Sequence, residues 1–245
     1  VSPEGPRGDA SWETHAAWWQ ANFTAGADPE YEEQILPIAA VQLAGARRVL
    51  DVGCGEGQLA RVAAAGGAEA VGVDPTANQL RTARVRGGGV RYARARAERL
   101  PFPADAFDAV VICLTLEHLE PFEPAVEEVS RVLAPGGRFV LFLNHPLLQA
   151  PESGWVDDQI LGEQYWRLGA YLSDDVVTDE IAPGVNLPFM HRPLGRYINV
   201  MADCGLLVER MEEPPPPPGF LAEAPEYDAA ATIPRLLVLR ARRQA

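Results

Sequence analysis

Three shortages frame the sequence. Cysteine is scarce: only Cys54, Cys113 and Cys204, with no C-x-x-C pair, so zinc-ribbon and dithiol readings have no support. An odd cysteine count points to a reducing compartment. Positive charge is also short, with 21 Lys and Arg against 34 Asp and Glu and a net charge of −13. Nucleic-acid surfaces follow phosphates with Lys and Arg, so this balance argues against a nucleic-acid partner. The arginines between Arg81 and Arg99 read as a solvated rim. Long apolar runs are missing as well. The longest are strand-sized, such as Val110-Val111-Ile112-Cys113-Leu114, far from the roughly 20 residues of a membrane span. The stretch Val1–Pro6 has no basic-then-apolar signal pattern. A cytoplasmic protein without a membrane partner is the expectation, and a composition rich in Ala, Arg, Gly and Pro suggests a bacterial source.

The chain of 245 residues is long enough for one well-cored domain. Residues 1–9 read as a loose tail. Helical spacing runs from Ala10 to Phe23 and from Pro29 to Leu43, where Pro37 predicts a kink or break. Strands are then expected at Arg48–Val52, Ala70–Asp74, Val90–Ala93, Phe107–Cys113 and Arg138–Leu143. Helices are expected between them, over Gln58–Ala65, Thr76–Arg86 and Pro124–Leu133, with a turn at Pro135-Gly136-Gly137. Such alternation predicts an α/β fold with a parallel sheet and right-handed crossovers. Ligands of these sheets bind beyond the carboxyl ends of the strands, where strand order reverses. Residues 147–190 break the alternation and read as an inserted lid. A helix over Arg192–Cys204, a strand over Leu206–Glu209, a stiff proline connector at Pro214–Pro218 and a closing strand at Leu236–Leu239 follow. The expected organisation is an N-terminal tail with helices (1–44), a core (45–146 and 191–245) and a lid (147–190).

The strongest local signal is Val49-Leu50-Asp51-Val52-Gly53-Cys54-Gly55-Glu56-Gly57. A strand ends in an acid, and alternating glycines lead into a helix. Without Cβ the chain turns sharply and lets a ligand touch the backbone. A dinucleotide fingerprint, G-x-G-x-x-G, requires glycine at position 58, which is Gln58. An acid directly ahead of the loop suits a ligand with a cationic ammonium or sulfonium and repels a pyrophosphate. Asp74 ends the next strand, where a carboxylate accepts from both ribose hydroxyls of an adenosine-type ligand.

Asp51–Gly57, Asp74, Glu98–Pro103, Phe107–Val110, Leu116–Leu119 and Leu133–Gly137, taken in succession, resemble the motifs of class I S-adenosylmethionine (SAM)-dependent methyltransferases. The likeness covers roughly residues 45–145 and resumes at 191–240. It is specific jointly and weak motif by motif. It implies a Rossmann-like seven-stranded, mostly parallel sheet whose last strand is antiparallel. It implies SAM as cofactor and S-adenosylhomocysteine (SAH) as product. By the resemblance, Asp51, Gly53, Cys54, Gly55 and Gly57 hold the methionine end, and Asp74 and Pro75 lie at the ribose. Ala97, Glu98 and Leu114 lie near the adenine and the sulfonium. Similar proteins often carry Asp at the position of Arg96; arginine has no acceptor, so Glu98 or a backbone carbonyl is left to read the adenine amino group.

Asn144-His145-Pro146, His191–Tyr197, Cys204-Gly205-Leu206 and Glu213-Pro214 also resemble a small-molecule subset of that family. Methyl transfer requires in-line attack, and a hydroxyl nucleophile is helped by a base such as histidine. His145 is the first expectation for base or orienting residue, then His191 and His118. Trp155, Tyr165 and Trp166 of the lid, with Arg192, are expected at the substrate; a self-contained satellite core is the equal alternative for the aromatics. Trp12, Trp18, Trp19 and Tyr31 read first as ordinary helix packing, with a second wall of the pocket as the alternative. Asp174, Asp175, Asp179 and Glu180 read as a solvated face, and no metal is expected.

The favoured function is therefore SAM-dependent methylation of a small molecule, O-methylation first. The rivals are a non-catalytic SAM-binding scaffold, an NAD-type oxidoreductase on a similar fold and a nucleic-acid methyltransferase. The last lacks an Asn/Asp-Pro-Pro-aromatic run after the fourth strand. The acceptor and the oligomeric state are left open.

Overall fold

A computed structural model describes residues 8–224 and 230–244. Of the tail expected over residues 1–9, positions 1–7 lie outside the described residues, and Gly8 already opens helix α1 (Gly8–Phe23). The second helix carries a surprise ahead of Pro37. A π-helical turn, Tyr31–Ile35, runs straight into α2 (Leu36–Leu43), and the Leu36 N–H reaches back five residues to the Tyr31 carbonyl. Proline has no N–H to continue the regular ladder, and the wider turn absorbs the mismatch without ending the helix.

The alternation follows: β1 (Arg48–Val52), α3 (Gln58–Ala65), β2 (Glu69–Asp74), α4 (Ala77–Arg86), β3 (Arg91–Arg94) and β4 (Phe107–Cys113). A short 3-10 turn at Leu116–His118 then leads to α5 (Glu123–Val132) and β5 (Leu133–Asn144). α5 buries Ala125, Val126, Val129 and Val132, one face at helical spacing. The Pro135-Gly136-Gly137 turn proves to be a bulge inside β5. Phe107 and Ala109 of β4 pair with Leu133 and Arg138, so the intervening residues loop out, with Gly136 at φ +75°.

Residues 146–191 hold a short helix, α6 (Pro146–Gln149), and two antiparallel hairpins. These are β6 (Gly154–Asp158) with β7 (Glu163–Arg167), and β8 (Asp175–Ala182) with β9 (Val185–His191). After α7 (Leu194–Asp203) and β10 (Leu206–Glu212), the proline run leads into a helix, α8 (Pro218–Glu223), before β11 (Leu236–Arg243).

The main sheet has the order β10-β11-β5-β4-β1-β2-β3, parallel except for β11, which is antiparallel to both neighbours. β1 and β4 are buried on both faces, so their sequences are apolar apart from Arg48, Asp51 and Asp108. Their side chains alternate between two cores. Leu50, Val110 and Ile112 pack toward α5 and α7; Val49, Ala109 and Val111 pack toward α2 and α3. The chain leaves β1 for β2 on one side and pairs β4 on the other, which places the strand-order reversal at the carboxyl end of β1. No helix of the described residues is long and apolar enough to cross a membrane.

Candidate active site

The glycine loop after β1 is shaped by its neighbours. Gly53, Gly55 and Gly57 have φ of +72°, +52° and +87°, a region that disfavours side chains. A Cβ on Gly53 would run into the Thr115 side chain, and one on Gly57 into the Tyr92 ring. A Cβ on Gly55 would meet nothing nearer than 4.0 Å, so this is the glycine that leaves open space above the loop. Asp74 anchors the loop: its carboxylate accepts from the Gly55 N–H at 2.9 Å and the Thr76 N–H at 2.8 Å. Asp51, 2 % exposed, accepts from the Ala60 N–H at 3.0 Å.

These groups border a cavity over the strand ends, also lined by Trp12, Trp19, Glu98 and Thr115. Its electrostatics are lopsided. Glu56 is buried but clamped by Arg61 at 2.9 Å and Arg86 at 2.7 Å. Asp51 has no ion-pair partner among the described residues. Burial, with Asp74 and Glu56 nearby, lifts its carboxyl to about 7 despite the Ala60 hydrogen bond. Arg96 lines the same cavity, turned toward Glu98 at 2.9 Å. A buried carboxyl of this kind fits a ligand that brings its own positive charge.

A second, aromatic chamber of about 580 Å³ adjoins the first, a size suited to a small organic molecule. Trp19, Tyr31, Leu114 and His118 line both and form a throat. Leu114 holds φ +48°, an uncommon conformation for a branched side chain and one that clusters at functional sites. His118 packs edge-on to Trp12 at 4.8 Å and against Phe189 of β9 at 4.6 Å. Its Nδ1–H donates to the Pro188 carbonyl at 2.8 Å, which leaves Nε2 as an acceptor. Burial pushes His118 down to about 4.

Of the residues singled out from sequence, Asp51, Gly53, Cys54, Gly55, Asp74 and Pro75 line the first cavity. Ala97, Glu98, Leu114 and His118 do so too. Gly57 does not; it starts α3 and makes room for Tyr92. His145, the first expectation for a base, lines neither cavity. It is buried at the start of α6, where Nδ1 accepts from the Leu147 N–H and Nε2 donates to Glu213 at 2.8 Å. His191 lines neither cavity; its Nε2 donates to the Tyr171 carbonyl at 2.9 Å. Arg192 is buried over the Phe122 ring and donates to the carbonyls of Leu116 and Leu119, so it braces the turn that carries His118. Trp155 and Trp166 stack edge-on within the β6–β7 hairpin, Tyr165 is 45 % exposed, and none of the three lines either cavity. Asp174 lies 3.7 Å from Arg196, while the side chain of Asp179 falls outside the described residues. Trp12, Trp19 and Tyr31, for which a pocket wall was the second reading behind helix packing, line the cavity. Their apolar bulk was visible in the sequence; the face they present was not.

A parallel sheet with an antiparallel last strand, and a glycine loop between two acid-ended strands, define a Rossmann-like α/β fold with its cavity at the strand ends. Comparison with known proteins narrows this. Residues 50–141 match the model of a methyltransferase domain family. The crystal structure of a SAM-dependent methyltransferase from Mesorhizobium loti is 32 % identical with a TM-score of 0.73, covering 84 % of this chain and 96 % of that one. The chain belongs to the SAM-dependent methyltransferases. Among curated relatives, a demethylmenaquinone methyltransferase of Thermus thermophilus is 40 % identical over 122 residues, 47 % of this chain and 54 % of the relative. A ubiquinone/menaquinone biosynthesis C-methyltransferase of Syntrophotalea carbinolica is 36 % identical over 114 residues, 44 % of this chain and 48 % of the relative. The chain thus spans about half the length of these curated relatives.

Proposed function

We propose that the protein transfers a methyl group from SAM to a hydroxyl-bearing aromatic small molecule, with the oxygen as the attacking atom. One observation carries this reading: an anionic cavity and an aromatic chamber meet at a throat formed by Trp19, Tyr31, Leu114 and His118. In this reading Asp51 and the backbone at Gly53, Cys54 and Gly55 hold the amino-acid end of SAM. Asp74 and Pro75 hold the ribose, and Ala97 and Glu98 border the adenine. When bound, SAM supplies an electrophilic methyl on a sulfonium. The chain supplies position. The rings of Trp12, Trp19 and Tyr31 keep water from the throat, and alignment of this kind accounts for up to about 7–11 kcal/mol of barrier lowering in favourable cases. His118 Nε2 accepts the hydrogen bond of the acceptor hydroxyl and takes its proton as the oxygen gains the methyl group, with SAH as the leaving group and the proton then passed to water. Arg192 keeps His118 in place. The name of the Syntrophotalea carbinolica relative, a C-methyltransferase, supports a second reading, in which a carbon of the acceptor is the attacking atom.

Incubation with methyl-¹³C SAM and a panel of hydroxylated aromatics tests this. Carbon-13 NMR of the product separates an O-methyl from a C-methyl group, and absence of any methylated product across the panel would contradict the reading.

Asp51 gives a pH dependence. Its carboxyl titrates near 7 in the ligand-free protein, and a cationic ligand favours the ionised form. Below pH 7 the ligand must expel a proton, and above it the site is already ionised. SAM affinity should therefore rise about tenfold from pH 6 to pH 8 and then level off. Calorimetry in buffers of different ionisation enthalpy should show proton release below pH 7; affinity that falls with pH would exclude Asp51 as the charged partner.

A further inference from the structure

The hairpin β6–β7 ends in two aliphatic side chains that stand in solvent. Ile160 is 95 % exposed and Leu161 67 %. The tip that carries them is firmly built. The Asp158 carboxylate accepts from both of their N–H groups at 2.9 Å. Gly162, at φ +67°, closes the turn with its N–H on the Asp158 carbonyl at 2.8 Å. Single apolar side chains are common on protein surfaces, but two neighbours fixed together at the end of a hairpin point to a contact. Acids flank them: Asp157 and Asp158 on one strand, Glu163 on the other.

The same chain carries a groove of complementary character. The crossover from β3 to β4 contains no helix, and a cavity of about 430 Å³ opens beside it. Val71, Ala93, Phe102 and Phe107 give it an apolar lining. Arg48 and Arg91 bring positive charge to it, against the acid Glu69. The Arg91–Glu69 pair spans 3.7 Å, with side chains 75 % and 73 % exposed, so it is weak and leaves Arg91 able to meet another carboxylate. Arg48, Glu69, Arg91 and Phe107 open strands β1 to β4, so the groove lies at the amino ends of the sheet. The hairpin follows the carboxyl end of β5, and its exposed tip does not fill the groove of its own molecule.

We infer that the protein self-associates head to tail, with Ile160 and Leu161 of one copy seated in the groove of the next and Asp157 and Glu163 facing its Arg48 and Arg91. Burial of the two aliphatic side chains supplies the attraction, and the opposed charges fix the partner and its orientation. A net charge of −13 makes copies repel in general, so the pairing of acids with arginines selects this face. The acids at the tip count against a membrane, whose anionic surface repels them. A contact between two different surfaces is heterologous: two copies close it when each tip fills the other's groove, and otherwise it continues as a ring or a chain. Neither surface lines the cavities at the carboxyl ends of the strands, so the inference is independent of the methyl acceptor.

Sedimentation velocity of the full chain tests this. The wild-type sedimentation coefficient should rise with concentration up to about 100 µM, in the range of small, weak interfaces. Ile160→Ser combined with Leu161→Ser should weaken association at least about tenfold. Charge reversal separates this contact from any other. Asp157→Lys with Glu163→Lys should weaken self-association, and so should Arg91→Glu. An equimolar mixture of those two proteins should associate again, because the reversed tip then meets the reversed groove and the native tip the native one. A wild type that stays monomeric overturns the inference, including one that sediments with phosphatidylcholine vesicles through Ile160 and Leu161, which would assign the tip to lipid. Association that survives the double serine variant overturns it, as does a charge-reversed mixture that stays apart. Melting curves that match the wild type establish that each variant is folded; if Arg91→Glu is not, the double serine variant decides.

Discussion

Asp74→Ala should weaken SAH binding on the order of 100-fold. Hydrogen bonds to a charged acceptor contribute about 1.5–3 kcal/mol each, and the proposed ribose contact uses two. The loss is compounded locally. The same carboxylate accepts from the N–H groups of Gly55 and Thr76, so its removal frees the loop that shapes the cavity floor. Asp74→Asn keeps the shape and loses the charge, and should fall between wild type and alanine. Calorimetric titration of the three proteins with SAH measures the series. Unchanged affinity in Asp74→Ala would remove this residue from the ligand site.

His118→Ala should lower kcat about 100-fold, at the low end for a positioned acid or base, while SAH affinity changes little. The side chain lies at the throat, where it contacts Pro188, Trp12 and Phe189 rather than the carboxylates proposed to hold SAM. Its pH signature follows from burial. A histidine pushed down to about 4 is neutral across pH 6–9, so wild-type turnover should show no acid limb from this residue in that window. His145→Ala is the contrasting variant. His145 caps α6 and pairs with Glu213, so its loss should reduce stability by about 1 kcal/mol and spare kcat. The reverse pattern, with turnover lost in His145→Ala and kept in His118→Ala, would return the role to His145.

That reversal in ranking shows where sequence reasoning stops. The order of β1, α3, β2, α4 and β4 was legible because apolar runs, glycine punctuation and helical spacing agree there. The acid-ended strands were legible because chain topology alone places Asp51 and Asp74 at the ligand edge. His118 and His145 follow adjacent strands and look alike in sequence. Their difference lies in local geometry: the Leu147 N–H and Glu213 engage both nitrogens of His145, while Pro188 engages one nitrogen of His118. The hairpin β6–β7 was hidden because its strands bury little, and alternation against a core is the signal a strand leaves in sequence. Pro37 announced a disturbance in the second helix, but the choice between kink and π turn depends on what Tyr31 and Gln34 pack against.

Calorimetric titration of the purified protein with SAH, with NAD run in parallel, tests the central claim most directly. Saturable binding of SAH, stronger at pH 8 than at pH 6, with none of NAD, is the predicted result. Binding of NAD with none of SAH would contradict the assignment of the cavity to a SAM-type ligand.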